Sequence, residues 1–211
     1  MGRGWARHNA AVTVTGTAPP GVPAETTRAR VERAALDLFT LRGFEQVTTD
    51  EVADAAGISR RTFFRYFATK ADAVWGDFGA HVARLEELLA GTDPGRPVLE
   101  SVCAAYVEVN DYAGTELPLL RERMLLILNE PALLAHSQLR YAEVDRVVAR
   151  YVADRSGATP SDLVPRLVAA TTRASATTAF EAWLADEHSA LGDQLRQAFT
   201  ELTRGFPGLV H

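Results

Sequence analysis

Apolar residues in this chain recur mostly at three- and four-residue intervals, which is the spacing of one face of an α-helix. The first predicted helix begins at Thr27 and ends at Gly43. Its apolar face consists of Val31, Ala34, Ala35, Leu38 and Phe39. The sequence lacks the two-residue alternation typical of strands, so it predicts an all-α fold of about nine helices without an internal repeat.

A short second helix and a third helix follow the first. Thr48 and Glu51 have the spacing of a capping box, which predicts a helix start at that point. Gly57 can adopt the positive φ of a tight turn, and Ser59 is a suitable N-cap for a helix that begins at Arg60. Helix, glycine-containing turn and helix together predict a helix-turn-helix unit.

The remaining pattern predicts a second helical region. We expect one continuous helix from Lys70 to about Ala90, with Thr69 as its N-cap. The central stretch Met124 to Leu128 is apolar on nearly every side, so we expect its helix to be surrounded by others. Further helices are predicted at 98–113, 118–128, 131–155, 161–186 and 190–205.

These patterns divide the chain into three predicted parts. Residues 1–24 are rich in Gly, Pro, Thr and Ala without an apolar core, so we expect a disordered leader and not a signal peptide. A helix-turn-helix domain covers 25–69, and a larger helical domain covers 70–211. The single cysteine, Cys103, lies in an apolar stretch and is expected to be buried. Without a membrane-length apolar segment, the chain is expected in the cytoplasm.

Positive charge is concentrated in one segment. The whole chain has a formal net charge of −5, whereas residues 57–70 carry four cationic side chains and no acidic one. A focused basic patch on an otherwise acidic protein is typical of a surface that meets a polyanion.

The third helix has a packing side and a basic side. At about 100° per residue, all of its aromatic rings except Phe64 turn toward the first two helices. The other side carries Arg60, Arg61, Phe64 and Arg65. Because Phe64 has no packing partner there within its own domain, the pattern favours the DNA major groove over a merely solvated charged face. Lys70, at the start of the next helix, is predicted to bind a phosphate.

The segment GFEQVTTDEVADAAGISRRTFFRYFATKADAV, residues 43 to 74, resembles the DNA-binding domain of TetR-type transcriptional regulators. The resemblance implies DNA contacts by Thr48, Thr49, Arg60, Arg61, Thr62, Phe64, Arg65, Tyr66 and Lys70. One departure matters, because Phe64 stands where most members have Tyr. The hydroxyl that reaches a phosphate in those members is missing, so Phe64 offers only apolar contact or stacking.

A narrower resemblance extends into the second domain. Residues 59–78, 116–128 and 131–143 are similar to the TetR-type regulators that accompany mycofactocin biosynthesis genes in actinobacteria. This resemblance implies a homodimeric repressor that controls a redox-cofactor pathway and responds to an apolar effector, such as a fatty acyl-CoA. It also implies dimerisation through the helices near 161–186 and 190–205, with two recognition helices on a palindromic operator.

Polar residues close to the central apolar helix are candidates to line an effector cavity. The predicted ligand-binding residues are Tyr106, Asn110, Arg121, Met124, His136 and Arg140. Arg121 and Arg140 are favoured for a carboxylate or phosphate, because guanidinium groups bind both through paired hydrogen bonds. For each residue taken singly, a structural role is the alternative.

Other function classes have weaker support. Cys103, His136 and His188 show no spacing typical of a metal site, a nucleophile motif or a phosphate loop, so we expect neither catalysis nor a cofactor or metal. A transcriptional activator remains an alternative to a repressor. A binding module whose basic helix meets an acidic protein is a second alternative.

Overall fold

The computed structural model describes residues 26–206, and this part of the chain forms nine α-helices and one short 3-10 helix. The helices are α1 Thr27–Arg42, α2 Thr49–Ala55, α3 Arg60–Tyr66, α4 Phe78–Ala90, α5 Val98–Val109, α6 Leu117–Asn129, α7 Pro131–Ser156, α8 Leu163–Ala185 and α9 Leu191–Arg204. The all-α prediction is confirmed. The predicted leader, 1–24, lies outside the described residues.

The first three helices start and stop at the residues that the sequence indicates. Thr48 and Glu51 form the complete capping box, with the Glu51 carboxylate 2.8 Å from the Thr48 backbone nitrogen. Gly57 has a φ of 65°, which allows the tight turn between α2 and α3. The Ser59 hydroxyl accepts a hydrogen bond from the backbone of Thr62 and caps α3. The helix-turn-helix prediction is therefore confirmed in detail.

The prediction of one continuous helix from Lys70 to Ala90 is wrong. Residues Ala71–Val74 form a single 3-10 turn, and Gly76 then adopts a φ of 63°, which interrupts helical geometry. A new helix, α4, starts at Phe78 and is capped by Asp77, whose side chain accepts a hydrogen bond from the backbone of Ala80. The break places a sharp turn between the helix-turn-helix unit and α4.

Two hydrophobic cores share the helices unequally. The first core joins α1, α2 and α3 to the segment 71–75, and it also contains Leu126, Ile127 and Leu133 from α6 and α7. The second core is built from α4, α5, α7, α8 and α9, with Leu120 of α6. Because α6 and α7 contribute to the first core, the helix-turn-helix unit is packed directly onto the second domain.

The central helix α6 is less enclosed than its apolar sequence suggests. It packs against α1, α7, α8 and the 3-10 turn. These neighbours cover Leu126 and Ile127 but leave Leu125 44% exposed. The expectation that α6 is surrounded on all sides is therefore only partly met. In the described residues, no helix is long and apolar enough to cross a membrane.

The adjacent rings of α3 allow a matched test of this packing. Phe63 is fully buried, whereas Phe64 is 44% exposed. We expect Phe63→Ala to lower the free energy of unfolding by about 3–5 kcal/mol, because it leaves a cavity in the first core. Phe64→Ala should cost less than about 1.5 kcal/mol, since it loses mainly an edge contact with Phe63. Urea denaturation followed by circular dichroism measures both values, and equal losses would contradict the assigned orientation of α3.

Candidate DNA-binding face and ligand cavity

The outer face of α3 carries three arginines around an exposed aromatic ring. Phe63 and Phe67 are buried against α1 and α2, and this orientation turns Arg60, Arg61, Phe64 and Arg65 outward. The guanidinium of Arg60 lies 5.5 Å from the centre of the Phe64 ring. The structure thus brings together the four residues that the helical spacing places on one side.

The three arginines differ in their protein partners. Arg60 pairs with Asp50 at 2.9 Å, and Arg65 donates a hydrogen bond to the Tyr66 hydroxyl at 3.2 Å. That hydrogen bond and the charge of Arg65 lower the pKa of Tyr66. Within residues 26–206, the exposed Arg61 makes no hydrogen bond or ion pair. Of the three arginines on this face, Arg61 therefore has the guanidinium most available to an external anion.

Two of the predicted threonines, Thr48 and Thr62, already take part in the capping contacts of α2 and α3. The Thr48 hydroxyl lies 2.8 Å from the Glu51 carboxylate, and the Thr62 hydroxyl lies 2.9 Å from that of Ser59. The pKa of Glu51 is lowered to about 2, first by the backbone hydrogen bond from Thr48 and then by Arg42. Thr49 is half-buried at the first position of α2. The caps fix the orientation of these side chains beside the outer face of α3.

Lys70 has a structural role that its sequence position did not reveal. Its ammonium donates hydrogen bonds to the carbonyl oxygens of Phe44 and Val47, at 2.7 and 2.9 Å. It also lies 4.1 Å from the centre of the Phe44 ring. Lys70 thereby holds the loop between α1 and α2 against the end of α3. The predicted phosphate contact stays a prediction, with two of the three ammonium hydrogens already directed at carbonyls.

A partly buried carboxylate, Asp72, anchors the junction between the two domains. Its oxygens accept hydrogen bonds from the Thr69 backbone and hydroxyl, at 2.8 and 2.9 Å. Arg140 of α7 pairs with the same carboxylate, and His136 Nε2 lies 3.3 Å from it. Burial alone raises the pKa of Asp72, but the hydrogen bonds from Thr69 and Arg140 outweigh it and lower the pKa.

A cavity of about 390 Å³ lies among α4 to α8, within the usual volume range of small-molecule sites. Its apolar wall is formed by Trp75, Phe78, Val109, Leu120, Met124, Ile127, Val144, Ala176 and Phe180. Its polar lining is Asp77, His81, Arg84, Tyr106, Asn110, Tyr112, Arg123, Tyr141, Arg173 and Thr177. The lining suits a largely apolar ligand that carries a polar group.

Three of the six predicted ligand-binding residues line this cavity, namely Tyr106, Asn110 and Met124. The structure places the other three, Arg121, His136 and Arg140, outside the lining. Arg121 donates hydrogen bonds to the carbonyls of Trp183 and Leu184 at the end of α8, while His136 and Arg140 contact Asp72. Sequence proximity to α6 therefore points to residues around this cavity but does not give the direction of each side chain, and ligand binding by any of them stays a prediction.

Two domain models match the chain. Residues 33–73 match the model of the bacterial regulatory proteins of the tetR family, and residues 96–207 match the MftR C-terminal domain, which alone covers more than half of the chain. This chain belongs to the TetR family. The family assignment agrees with the helix-turn-helix geometry and with the all-α second domain.

One relative covers nearly the whole TetR-family chain. A Mycobacterium tuberculosis protein named as the mycofactocin biosynthesis transcriptional regulator MftR is 39% identical over 184 residues, which are 87% of this chain and 93% of the relative.

Two solved structures share the fold. FadR of Thermus thermophilus, a TetR-family repressor in complex with lauroyl-CoA, has a TM-score of 0.54 and 24% identity, covering 87% of this chain and 96% of its own. FadR of Bacillus subtilis, in complex with stearoyl-CoA, has a TM-score of 0.60 and 17% identity, covering 86% and 98%.

Several cavity residues of this TetR-family chain were not predicted. His81 lies on α4 and stacks on Phe78, and burial lowers its pKa, which favours the neutral ring. Arg173 lies on α8, where it pairs with Asp145 at 2.9 Å. Their distance in sequence from α6 hid them, although Phe78 and His81 have the three-residue spacing of one helix face.

Cys103 is buried, as predicted, with an exposure of 7%. Burial raises the pKa of its thiol to about 11. The thiolate form that reacts with other groups is therefore disfavoured at neutral pH.

The Asp72 junction predicts a pH-dependent loss of stability. We expect Asp72→Asn to lower the free energy of unfolding by about 1–3 kcal/mol at pH 7, because charged hydrogen bonds are lost. The pKa of Asp72 is lower in the folded protein than in the unfolded chain. The contribution of Asp72 to stability is therefore complete at pH values above its unfolded pKa of about 4. The contribution is lost as pH falls through the folded value.

Urea unfolding between pH 7 and pH 3 measures this difference. Asp154→Asn, on the exposed side of α7, is the matched control and should change little at any pH. A deficit of Asp72→Asn that stayed constant into acid would show that the charge of Asp72 is not what stabilises the junction.

Proposed function

We propose that this TetR-family regulator is a homodimeric repressor that leaves its operator when an amphiphilic effector enters the cavity. The observation that carries the proposal is the outer face of α3. A large ring, Phe64, is 44% exposed there among three arginines, while the opposite side of the same short helix is buried. Such a face is suited to the major groove, where apolar contact and guanidinium hydrogen bonds act together.

The proposed DNA contacts divide into base contacts and phosphate contacts. Arg60, Arg61 and Arg65 supply positive charge for guanine edges or phosphates, and Phe64 supplies apolar contact for a thymine methyl group. The carboxylate of Asp50 compensates the charge of Arg60, with which it pairs. Arg61 and Arg65 therefore contribute more of the electrostatic attraction to DNA. Phosphate contacts are assigned to Thr48, Thr49, Thr62, Tyr66 and Lys70.

The proposed dimer interface uses α8 and α9. One stripe of α8 at helical spacing is exposed, and apart from Glu181 it is apolar or small. The stripe consists of Leu163, Leu167, Ala170, Ala174, Thr178, Glu181 and Ala185. An apolar helix face of this length in water favours a second helix against it, and small residues allow close approach. α9 packs beside α8 through Leu191, Leu195 and Phe199, which completes a helix pair.

The proposed effector has an apolar body and a polar group, as the cavity lining requires. The two FadR structures that carry lauroyl-CoA and stearoyl-CoA share this fold, and an acyl-CoA or related amphiphile is the proposed class here. The proposed regulatory role is control of mycofactocin-related genes, and the relative named for mycofactocin biosynthesis supports it. The proposed location of the protein is the cytoplasm.

DNA binding is tested by electrophoretic retardation with the gene's own upstream fragment. We expect Arg61→Ala to weaken binding at least about fivefold, since one good arginine contact is worth roughly 1–3 kcal/mol. Arg150→Ala on α7, an exposed arginine paired with Glu86, is the control and should bind as the unchanged chain does. Failure of the unchanged chain to retard its upstream fragment, and any fragment in a genomic selection, would refute repression.

Dimerisation is tested by sedimentation velocity without DNA. Leu167→Arg places a charge in the α8 stripe, where the leucine is 54% exposed in the monomer, and we expect it to yield monomers because an interface would bury that charge unpaired. Leu41→Arg, at an 80% exposed leucine of α1, is the control and should remain dimeric. A dimer that survives Leu167→Arg would place the interface elsewhere.

A further inference from the structure

Arg123 of α6 connects the ligand cavity to the DNA-binding unit. It lines the cavity, and its Nη2 atom also donates a hydrogen bond to the Glu32 carboxylate of α1 at 3.3 Å. Both side chains are largely enclosed, with exposures of 18% for Arg123 and 13% for Glu32. This enclosed ion pair therefore joins a helix of the DNA-binding unit to a residue that a ligand can touch.

The same guanidinium also packs against the turn that precedes α4. An added Cβ at Gly76 would lie only 2.8 Å from Arg123 Cζ, so a larger residue there would displace the guanidinium from this position. The Gly76 carbonyl accepts a hydrogen bond from Arg28 of α1 at 2.8 Å, and Arg28 pairs with Glu32 at 3.0 Å. Glu32, Arg28, Gly76 and Arg123 thus form one cluster, which we call the relay cluster.

The charges of the relay cluster are incompletely compensated. Burial raises the pKa of Glu32 even though two arginines adjoin it, and burial lowers the pKa of Arg123. The Arg123 Nε atom is buried without a hydrogen-bond acceptor among residues 26–206. A buried donor left unpaired is unfavourable, so a further anionic acceptor would stabilise Arg123.

We infer that Arg123 binds the anionic head group of the effector and that this group competes with Glu32 for the same guanidinium. This inference rests on the proposed function and names the ligand class, a carboxylate or phosphate on an apolar tail. When the ligand binds Arg123, Glu32 of α1 loses its ion-pair partner on α6 and the Gly76 turn loses the side chain packed against it. The DNA-binding unit is then released from its orientation on the second domain.

Competition of this kind is reciprocal. If Glu32 opposes ligand binding by holding Arg123, then removing the Glu32 charge must strengthen binding of an anionic ligand but not of a neutral one. An ion pair that acts only by stabilising the fold would affect both ligands alike.

The test is calorimetric titration of the full chain with dodecanoate and with dodecanol, which share a tail and differ in charge. We expect Glu32→Gln to tighten dodecanoate binding at least about fivefold and to change dodecanol binding less than about twofold. Arg123→Met should weaken dodecanoate at least about tenfold and leave dodecanol nearly unchanged. In the Glu32→Gln variant, less dodecanoate should also suffice to release DNA.

Glu122→Gln is the matched control, because Glu122 of α6 pairs with Arg33 of α1 at 3.2 Å between the same two helices but in solvent. It should bind both probes as the unchanged chain does. If Arg123→Met fails to fold, Glu32→Gln decides the question alone.

Unchanged dodecanoate affinity in Glu32→Gln would overturn the inference, and so would an unchanged chain that does not bind dodecanoate. Equal tightening for dodecanol would also overturn it. DNA retardation without any probe tests the proposed function separately, so the two failures are distinguishable.

Discussion

The arrangement of this protein depends on the packing of α6 and α7 into the core of the DNA-binding unit. Leu126, Ile127 and Leu133 are buried together with the apolar residues of α1 to α3. A domain joined only by a linker would move independently of its neighbour. Here the three helices of the DNA-binding unit share a close-packed interior with helices that enclose the cavity. A change in the shape of the cavity would therefore alter the packing at α1.

Polar contacts at this interface add direction to the apolar packing. Asp72 receives Arg140 from α7, and Glu32 receives Arg123 from α6. Both carboxylates belong to the N-terminal side of the junction, and both arginines to the cavity side. An enclosed ion pair contributes little net stability, but removal of one partner is strongly destabilising because the other charge stays buried and unpaired. Such a pair is suited to a protein that changes between two states. Only Arg123 of the two arginines also lines the cavity.

The sequence predicted those features that depend on local chemistry. The caps of α2 and α3, the Gly57 turn and the two sides of α3 follow from spacing along a single helix, and these are confirmed. The predicted cap at Thr69 is wrong, because α4 begins after Asp77. Features that depend on contacts between distant segments were missed. Gly76 interrupts the expected fourth helix, and Arg121 turns toward the end of α8 instead of the cavity. Leu36 is also buried although it lies outside the predicted apolar face of α1. α1 packs on the 3-10 turn and on α6 as well as on α2, and a single amphipathic stripe does not reveal so many neighbours.

The central claim is that an effector in the cavity releases the DNA-binding unit from its orientation on the second domain. In the proposed dimer, this release changes the separation of the two α3 helices. Pulsed electron resonance between spin labels at Ala68→Cys, an exposed position beyond α3, measures that separation directly, since the buried Cys103 is protected from labelling. The account predicts one distance near the roughly 34–36 Å of successive major grooves, and a shifted distance with dodecanoate. No intermolecular distance, or one that dodecanoate leaves unchanged, would contradict it.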